Sequence, residues 1–143
     1  GVSEWVYPQS GSGHTSNDSV TVRISNYGGA DIVDPFLVTY SMDGGQSWKA
    51  DQLDQHIPVG GSVLFTFPSR VDLSEPGYRP SVIAKTALPG DQFPDNDEVE
   101  TDLYILPTMV PPYVEEFESN DGYWRPFGPD LWEFGTPGGS TIN

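Results

Sequence analysis

Residues 36–53 read FLVTYSMDGGQSWKADQL, and the rest of the predicted fold is built around this run. Apolar residues at 36, 38, 40 and 42 alternate with their neighbours, the pattern of a strand with one buried face. Asp43-Gly44-Gly45 then predicts a chain reversal, because glycine adopts positive φ without steric cost. Residues 46–52 form the returning strand, and their side chains also alternate between two faces. The run therefore predicts a β-hairpin with one inner strand and a more hydrophilic partner nearer the sheet edge.

The turn of this hairpin carries a motif. Ser41, Asp43, Gly45, Ser47 and Trp48 form the pattern S-x-D-x-G-x-S-W, which resembles the Asp-box of sialidases and related propellers. In that family the motif lies away from the catalytic centre and recurs from blade to blade. Here it occurs once, so we interpret it as turn chemistry in which the carboxylate accepts N–H bonds and the tryptophan covers the hairpin.

Composition and charge narrow the class of protein. The chain has 143 residues, with 16 glycines, 14 prolines and no cysteine, which favours an all-β fold without disulfides or thiolate chemistry. Its 21 acidic and 6 basic residues give a formal net charge of −15. Such a chain repels nucleic acid and anionic lipid, so we predict neither as a partner. No apolar run reaches the length of a membrane span, and no signal peptide is recognisable.

Further alternating runs place the other strands. They are Val2–Tyr7, Ser19–Asn26, Val63–Phe67, Tyr78–Ala87 and Glu98–Ile105. Strand-sized segments at this spacing, about seven in all, predict a Greek-key β-sandwich. Residues 72–77 are expected to form one helical turn or a tight loop. The predicted core is Val20, Val22, Ile24, Phe36, Val38, Tyr40, Val63, Phe65, Phe67, Val82, Ala84, Val99 and Leu103.

A series of short motifs adds a family resemblance. In chain order they read ISNYG (24–28), PVGGS (58–62), FTF (65–67), DLS (72–74), PGY (76–78), and GD (90–91) followed by ND (96–97). Together they resemble the cell-adhesion-related (CARDB-type) immunoglobulin-like domain of secreted and surface bacterial proteins, over about Trp5 to Ile105. The resemblance implies a seven-stranded sandwich that spaces, orients or adheres without catalysis. The chain departs from the family at Pro80 and in its acidic last strand.

The last part of the chain differs in character. We predict an immunoglobulin-like sandwich over 1–106, a proline-rich linker over 107–112 and a third segment over 113–143. The third segment contains E-x-F-E (115–118), then Trp124, then W-E-x-G-T-P (132–137). This series is similar to the opening of jelly-roll domains of the MAM or cleaved-adhesin kind, which implies a partial second β domain. A flexible acidic tail is the alternative. Its aromatic residues are expected to dock on the sandwich or on another copy, for example by adding a strand to a sheet edge.

Catalytic patterns are sparse. His14 and His56 have no nucleophile at motif spacing, and the chain has no G-x-S-x-G elbow, phosphate-binding glycine loop or H-E-x-x-H helix. Paired carboxylates such as Glu98 and Glu100 are frequent, but abundant acids produce such pairs by chance. We therefore predict that the chain is not an enzyme.

One acidic loop could bind a metal ion. Asp91, Asp95, Asn96 and Asp97 lie within seven residues and offer the hard oxygen ligands that Ca²⁺ prefers. Their spacing does not match an EF-hand, and the alternative is that they form Asx-turns before the last strand. These four residues are the candidate calcium ligands, and no other cofactor is expected.

The sequence thus predicts a non-catalytic adhesion or spacer module of a larger secreted or cell-surface bacterial protein. Its expected partners are neighbouring domains of the same polypeptide and a surface protein or carbohydrate. Two alternatives stay open: an accessory domain of a secreted peptidase or glycosidase, and a carbohydrate-binding module. The last would require an exposed aromatic platform such as Trp48.

Overall fold

The computed structural model describes residues 1–91, 93–114 and 122–123. The chain divides into two units, Gly1–Pro107 and Thr108–Asn143. The strands of the first unit are β1 (Val2–Tyr7), β2 (Asp18–Ser25), β3 (Phe36–Ser41), β4 (Lys49–Leu53), β5 (Ser62–Val71), β6 (Ser81–Ala87) and β7 (Glu98–Asp102). A 3-10 turn at Pro94–Asn96 precedes β7. Among the described residues, no helix has the length and apolarity needed to cross a lipid bilayer.

The strands form two antiparallel sheets. One has the order β1-β2-β5, and the other has the order β4-β3-β6-β7. The chain passes between the sheets after β2, after β4 and after β5, so that each sheet combines consecutive strands with strands from another part of the chain. This is the Greek-key arrangement of an immunoglobulin-like sandwich, and the predicted all-β fold is confirmed.

The predicted hairpin organises the larger sheet. β3 pairs with β4 from Phe36 opposite Leu53 to Tyr40 opposite Lys49. On its other side β3 pairs with β6, whereas β4 is an edge strand. The apolar strand is therefore central and its hydrophilic partner lies at the edge, as the sequence predicted.

Side chains from both sheets meet in one hydrophobic core. All of the predicted core residues are buried except Val63 and Val99, which are half-buried and pack against it. Since a slip of one residue would turn every side chain to the opposite face, the predicted registers are correct. The core has further members outside the predicted set: Val2, Trp5, Leu53, Ile57, Val71, Leu73 and Ile105.

Several strand boundaries differ from the prediction. β6 begins at Ser81 instead of Tyr78, because Pro80 has no N–H for the ladder. Pro80 still accepts a hydrogen bond from Leu103 N at 3.0 Å. β7 ends at Asp102, and beyond it Ile105 forms a parallel bridge with Gly11.

Residues 72–77 form a tight loop, which was one of the two predicted alternatives. Asp72 Oδ1 accepts hydrogen bonds from the amide and hydroxyl of Ser74, at 3.0 and 2.7 Å. These bonds hold the pKa of Asp72 below its ordinary value, so the carboxylate serves the turn.

Few residues of the second unit are described. Tyr113 donates a hydrogen bond from its hydroxyl to Gly122 O at 3.4 Å. Residues 115–121 and 124–143 lie outside the described residues, and with them most of the aromatic side chains on which the docking prediction rests. Docking of this segment, and its likeness to a jelly-roll domain, stay predictions.

Candidate functional site

The Asp-box-like turn between β3 and β4 is held together by Asp43. Asp43 Oδ1 accepts bonds from Ser47 N at 2.8 Å and from Ser41 Oγ at 2.7 Å. Asp43 Oδ2 accepts from Ser47 Oγ at 2.5 Å. Ser41 Oγ in turn accepts from Gly45 N at 2.9 Å. The motif therefore closes on itself, and its carboxylate is committed to the turn.

This hydrogen bonding shifts the titration of the turn. The side-chain bond from Ser47 is the largest cause, followed by the Ser47 amide and the Ser41 hydroxyl, and together they lower the pKa of Asp43 to about 2. The folded pKa of Asp43 lies below the ordinary value of 3.8, so the hydrogen bonds to its carboxylate stabilise the fold fully above pH 3.8. This stabilisation is lost as the pH falls through the folded value.

We expect the carboxyl carbon of Asp43 to titrate by NMR with a midpoint near 2. Ser47→Ala should raise this midpoint, because it removes the strongest hydrogen bond to the carboxylate. Gln46→Ala is the control, since the Gln46 side chain donates to the Asp43 carbonyl and not to the carboxylate. An unchanged midpoint in Ser47→Ala would contradict the assignment.

Trp48, the residue on which a carbohydrate platform would depend, is also engaged within the protein. Its Nε1–H donates to Gly45 O at 2.9 Å, and its side chain lies beside that glycine. The Lys85 ammonium lies 5.0 Å from the centre of the indole ring and pairs with Glu98 at 2.6 Å. Trp48 is 40% exposed, and the Lys85 ammonium already makes a cation–π contact with its ring. These contacts favour the structural interpretation of Trp48.

His14 belongs to a second closed network, in the loop between β1 and β2. Its Nδ1 lies 2.6 Å from Asp18 Oδ2, and its Nε2 lies 2.9 Å from Gln9 O. Asp18 Oδ1 also accepts from the amide and hydroxyl of Thr15, at 3.3 and 2.8 Å. The side chains of His14 and Asp18 are each only 7% exposed.

The network changes the titration of its acidic members. Burial raises the pKa of Asp18, but hydrogen bonds from His14 and Thr15 more than offset this effect and hold it below its ordinary value. Burial and the Asp18 carboxylate raise the pKa of Tyr7, which borders the network. The His14–Asp18 pair is nearly enclosed and hydrogen-bonded to groups of the surrounding loop, so it holds this loop in place.

His56 lies elsewhere, beside the loop after β4. Its Nε2 is 3.0 Å from Asp31 Oδ2, and Asp31 Oδ1 accepts a bond from Val59 N at 2.9 Å. The Val59 amide is the main cause, and His56 the second, of a lowered pKa of Asp31. His56 therefore pairs with Asp31, just as His14 pairs with Asp18. The exposed His56–Asp31 pair joins two loops.

Two of the candidate calcium ligands accept hydrogen bonds from the protein itself. Asp91 Oδ1 accepts a bond from Phe93 N at 2.8 Å, which is the Asx-turn expected as the alternative. Asp97 Oδ1 accepts from Thr86 Oγ1 at 2.7 Å and so ties the loop to β6.

The other two candidates lie in the 3-10 turn. Asp95 is exposed, and Asn96 is half-buried with an Oδ1 atom that has no hydrogen-bond partner in the described part of the chain. Across residues 1–91, 93–114 and 122–123, no three carboxylate or imidazole groups are placed to hold a metal ion. Calcium binding stays a prediction.

A hollow of the described surface lies at one end of the sandwich. It has a volume of about 480 Å³ and lies between the loops 26–34 and 88–96. Exposed Tyr27, Val33 and Phe93 line it together with the acids Asp31 and Asp91. This end of the molecule combines apolar surface with negative charge.

A smaller cleft at the side of the sandwich was not predicted. It brings Lys49 at the start of β4 next to Arg70 near the end of β5, where Lys49 Nζ lies 3.3 Å from Arg70 O. No sequence pattern indicates this pair, because the two residues are 21 positions apart in different sheets.

No family model matches the chain, and no curated protein matches it.

Proposed function

We propose that this chain is a non-catalytic extracellular module that sets the distance and orientation of neighbouring domains in a larger polypeptide. The observation that supports this role best is the direction of its first and last strands. β1 leads to Gly11 and β7 leads to Ile105, and these two residues are bridged in parallel. Gly11 N donates to Tyr104 O at 2.9 Å, and Leu106 N donates to Gly11 O at 2.8 Å.

Because β1 and β7 run side by side in the same direction, the polypeptide enters the sandwich at one end and leaves it at the other. The nine residues from Glu98 to Leu106 span about 30 Å at the usual rise of an extended chain. A module with this geometry holds the domain on its N-terminal side apart from the domain on its C-terminal side. Hydrogen-bonded pairing within both sheets makes the separation stiff.

The placement of the acidic residues supports the non-catalytic part of the proposal. The four described carboxylates with lowered pKa values each accept bonds from a turn or loop, and they are Asp18, Asp31, Asp43 and Asp72. General acid catalysis needs a carboxyl group whose pKa is raised towards the working pH. These four groups are shifted in the opposite direction. The acidic composition and the family resemblance support an extracellular location.

The spacer role predicts a fixed distance between the two ends. The chain has no cysteine, so Ser12→Cys near the exit and Gly29→Cys near the entrance give unique sites for spin labels. We expect a single narrow distance distribution at about 25–35 Å, because β2 spans the sandwich between these positions. A broad or multiple distribution in native buffer would overturn the proposal.

The non-catalytic role is tested separately. We expect no turnover of casein, aryl esters or aryl glycosides above the rate in buffer. Turnover that disappears in His14→Gln, the variant of the most enclosed histidine pair, would instead make the chain a hydrolase. A matched His56→Gln variant at the exposed pair shows whether any loss is specific to the first pair.

A further inference from the structure

The small cleft between the two sheets combines apolar and charged side chains, which a spacer role does not require. It lies where β4 and β5, edge strands of different sheets, approach each other, and it has a volume of about 210 Å³. Its apolar lining comes from Tyr40, Met42, Val71 and Leu73. Its polar lining comes from Ser47, Lys49, Arg70, Asp72 and Tyr78.

The cleft concentrates positive charge in a very acidic molecule. Arg23 pairs with Glu4 at 2.8 Å, and Lys85 pairs with Glu98 at 2.6 Å. By contrast, no carboxylate within the described ranges forms an ion pair with Lys49 or Arg70. Lys49 and Arg70 therefore both line the cleft without a carboxylate partner among the described residues.

The cleft also contains one acid, Asp72, whose negative charge offsets one of the two positive charges. Asp72 directs one carboxylate oxygen at the amide and hydroxyl of Ser74, and this bonding keeps the pKa of Asp72 low. Within the described part of the chain, the Lys49 ammonium donates to the carbonyl oxygen of Arg70 alone. An ammonium has three donors, so further donors of Lys49 are left for a ligand.

The size of the cleft limits what it can hold. Pockets for small molecules usually measure about 300–1,000 Å³, so a volume of about 210 Å³ is suited to one or two side chains. A polyanionic polysaccharide needs an extended row of cations and would meet the field of a chain with a net charge of −15. A single carboxylate beside an apolar side chain fits both the charge and the apolar lining.

We propose that this cleft binds an extended peptide segment of a partner protein. A glutamate or aspartate of the segment lies against Lys49 and Arg70, and an apolar side chain two residues away fills the apolar part. Residues i and i+2 of an extended chain share a face, which allows both contacts at once. The free edge of β4 offers main-chain groups to the same segment. The proposal goes beyond the spacer role, because a module can set a distance without binding here.

The test uses the full 143-residue chain and the blocked peptide Ac-Gly-Ser-Glu-Thr-Phe-Thr-Gly-NH2, titrated at low salt. We expect saturable NMR shifts at the amides of Ser47, Lys49 and residues 70–73. The peptide with glutamine in place of glutamate should bind at least about 3-fold more weakly, as expected for loss of exposed ion pairs. Raising the salt should weaken the binding further.

Matched variants distinguish binding in the cleft from a general effect of protein charge on binding. Arg70→Gln should weaken binding at least about 3-fold, whereas Arg23→Gln removes the same charge from the paired arginine on β2 and should leave the affinity unchanged. Both residues are surface residues, and equal melting temperatures would show that both variants fold. Equal losses in the two variants, equal binding of the glutamine peptide, or shifts outside the cleft would overturn the proposal. Tighter binding of a sulfated oligosaccharide that is lost in Arg70→Gln would also overturn it.

Discussion

Phe67→Ala is expected to lower the free energy of unfolding by about 3–5 kcal/mol, the range for loss of a buried aromatic side chain. Phe67 is 1% exposed, on the face of β5 that points into the core. Its ring centre lies 4.5 Å from that of Tyr40 and 4.9 Å from that of Phe65, in edge-to-face contacts. Truncation removes these contacts and leaves a cavity at the meeting point of the two sheets. Urea denaturation of the full chain measures the change.

Leu64→Ala on the same strand is the control for Phe67→Ala. Leu64 is 52% exposed and points away from the core, so its truncation should change the free energy of unfolding by no more than about 0.5 kcal/mol. The contrast between the two positions tests the register of β5. Similar losses in both variants would mean that the strand does not present Phe67 inward.

Asp18→Ala is expected to lower the free energy of unfolding by about 2–4 kcal/mol, because it leaves the donors of His14 and Thr15 without their acceptor in a nearly enclosed site. The variant removes three hydrogen bonds to the side chain, at 2.6, 2.8 and 3.3 Å. Denaturation at neutral pH measures the loss. Asp54→Ala is the control, since Asp54 is an exposed residue outside the strands.

The Asp18 effect should depend on pH in a defined direction. The folded pKa of Asp18 lies below its ordinary value of 3.8, so the ionised carboxylate stabilises the fold fully above that pH. As the pH falls through the folded pKa, the carboxylate is protonated and this contribution disappears. The difference in stability between the wild type and Asp18→Ala should therefore shrink in this acidic range. A difference that grows as the pH falls would contradict the assignment.

The candidate sites were predictable to different degrees. The bonds of the Asp43 turn join residues at most four apart, and the sequence motif named their roles correctly. The His14 loop reads as a polar segment without periodicity, yet Thr15 O accepts from Leu73 N at 2.9 Å and fastens the loop to another part of the chain. No local sequence pattern predicts that hydrogen bond.

Local sequence patterns were sufficient to predict the strands, their inward faces and the hairpin turn. Alternation and turn chemistry act between residues close in the chain, so they can be recognised without a partner segment. The packed fold was needed to show that Ile57 and Leu73 are buried in segments between the strands, and that Lys49 lies beside Arg70. Burial of an irregular segment and contact between residues distant in sequence depend on which parts of the chain come together. These contacts form only when the two sheets pack against each other.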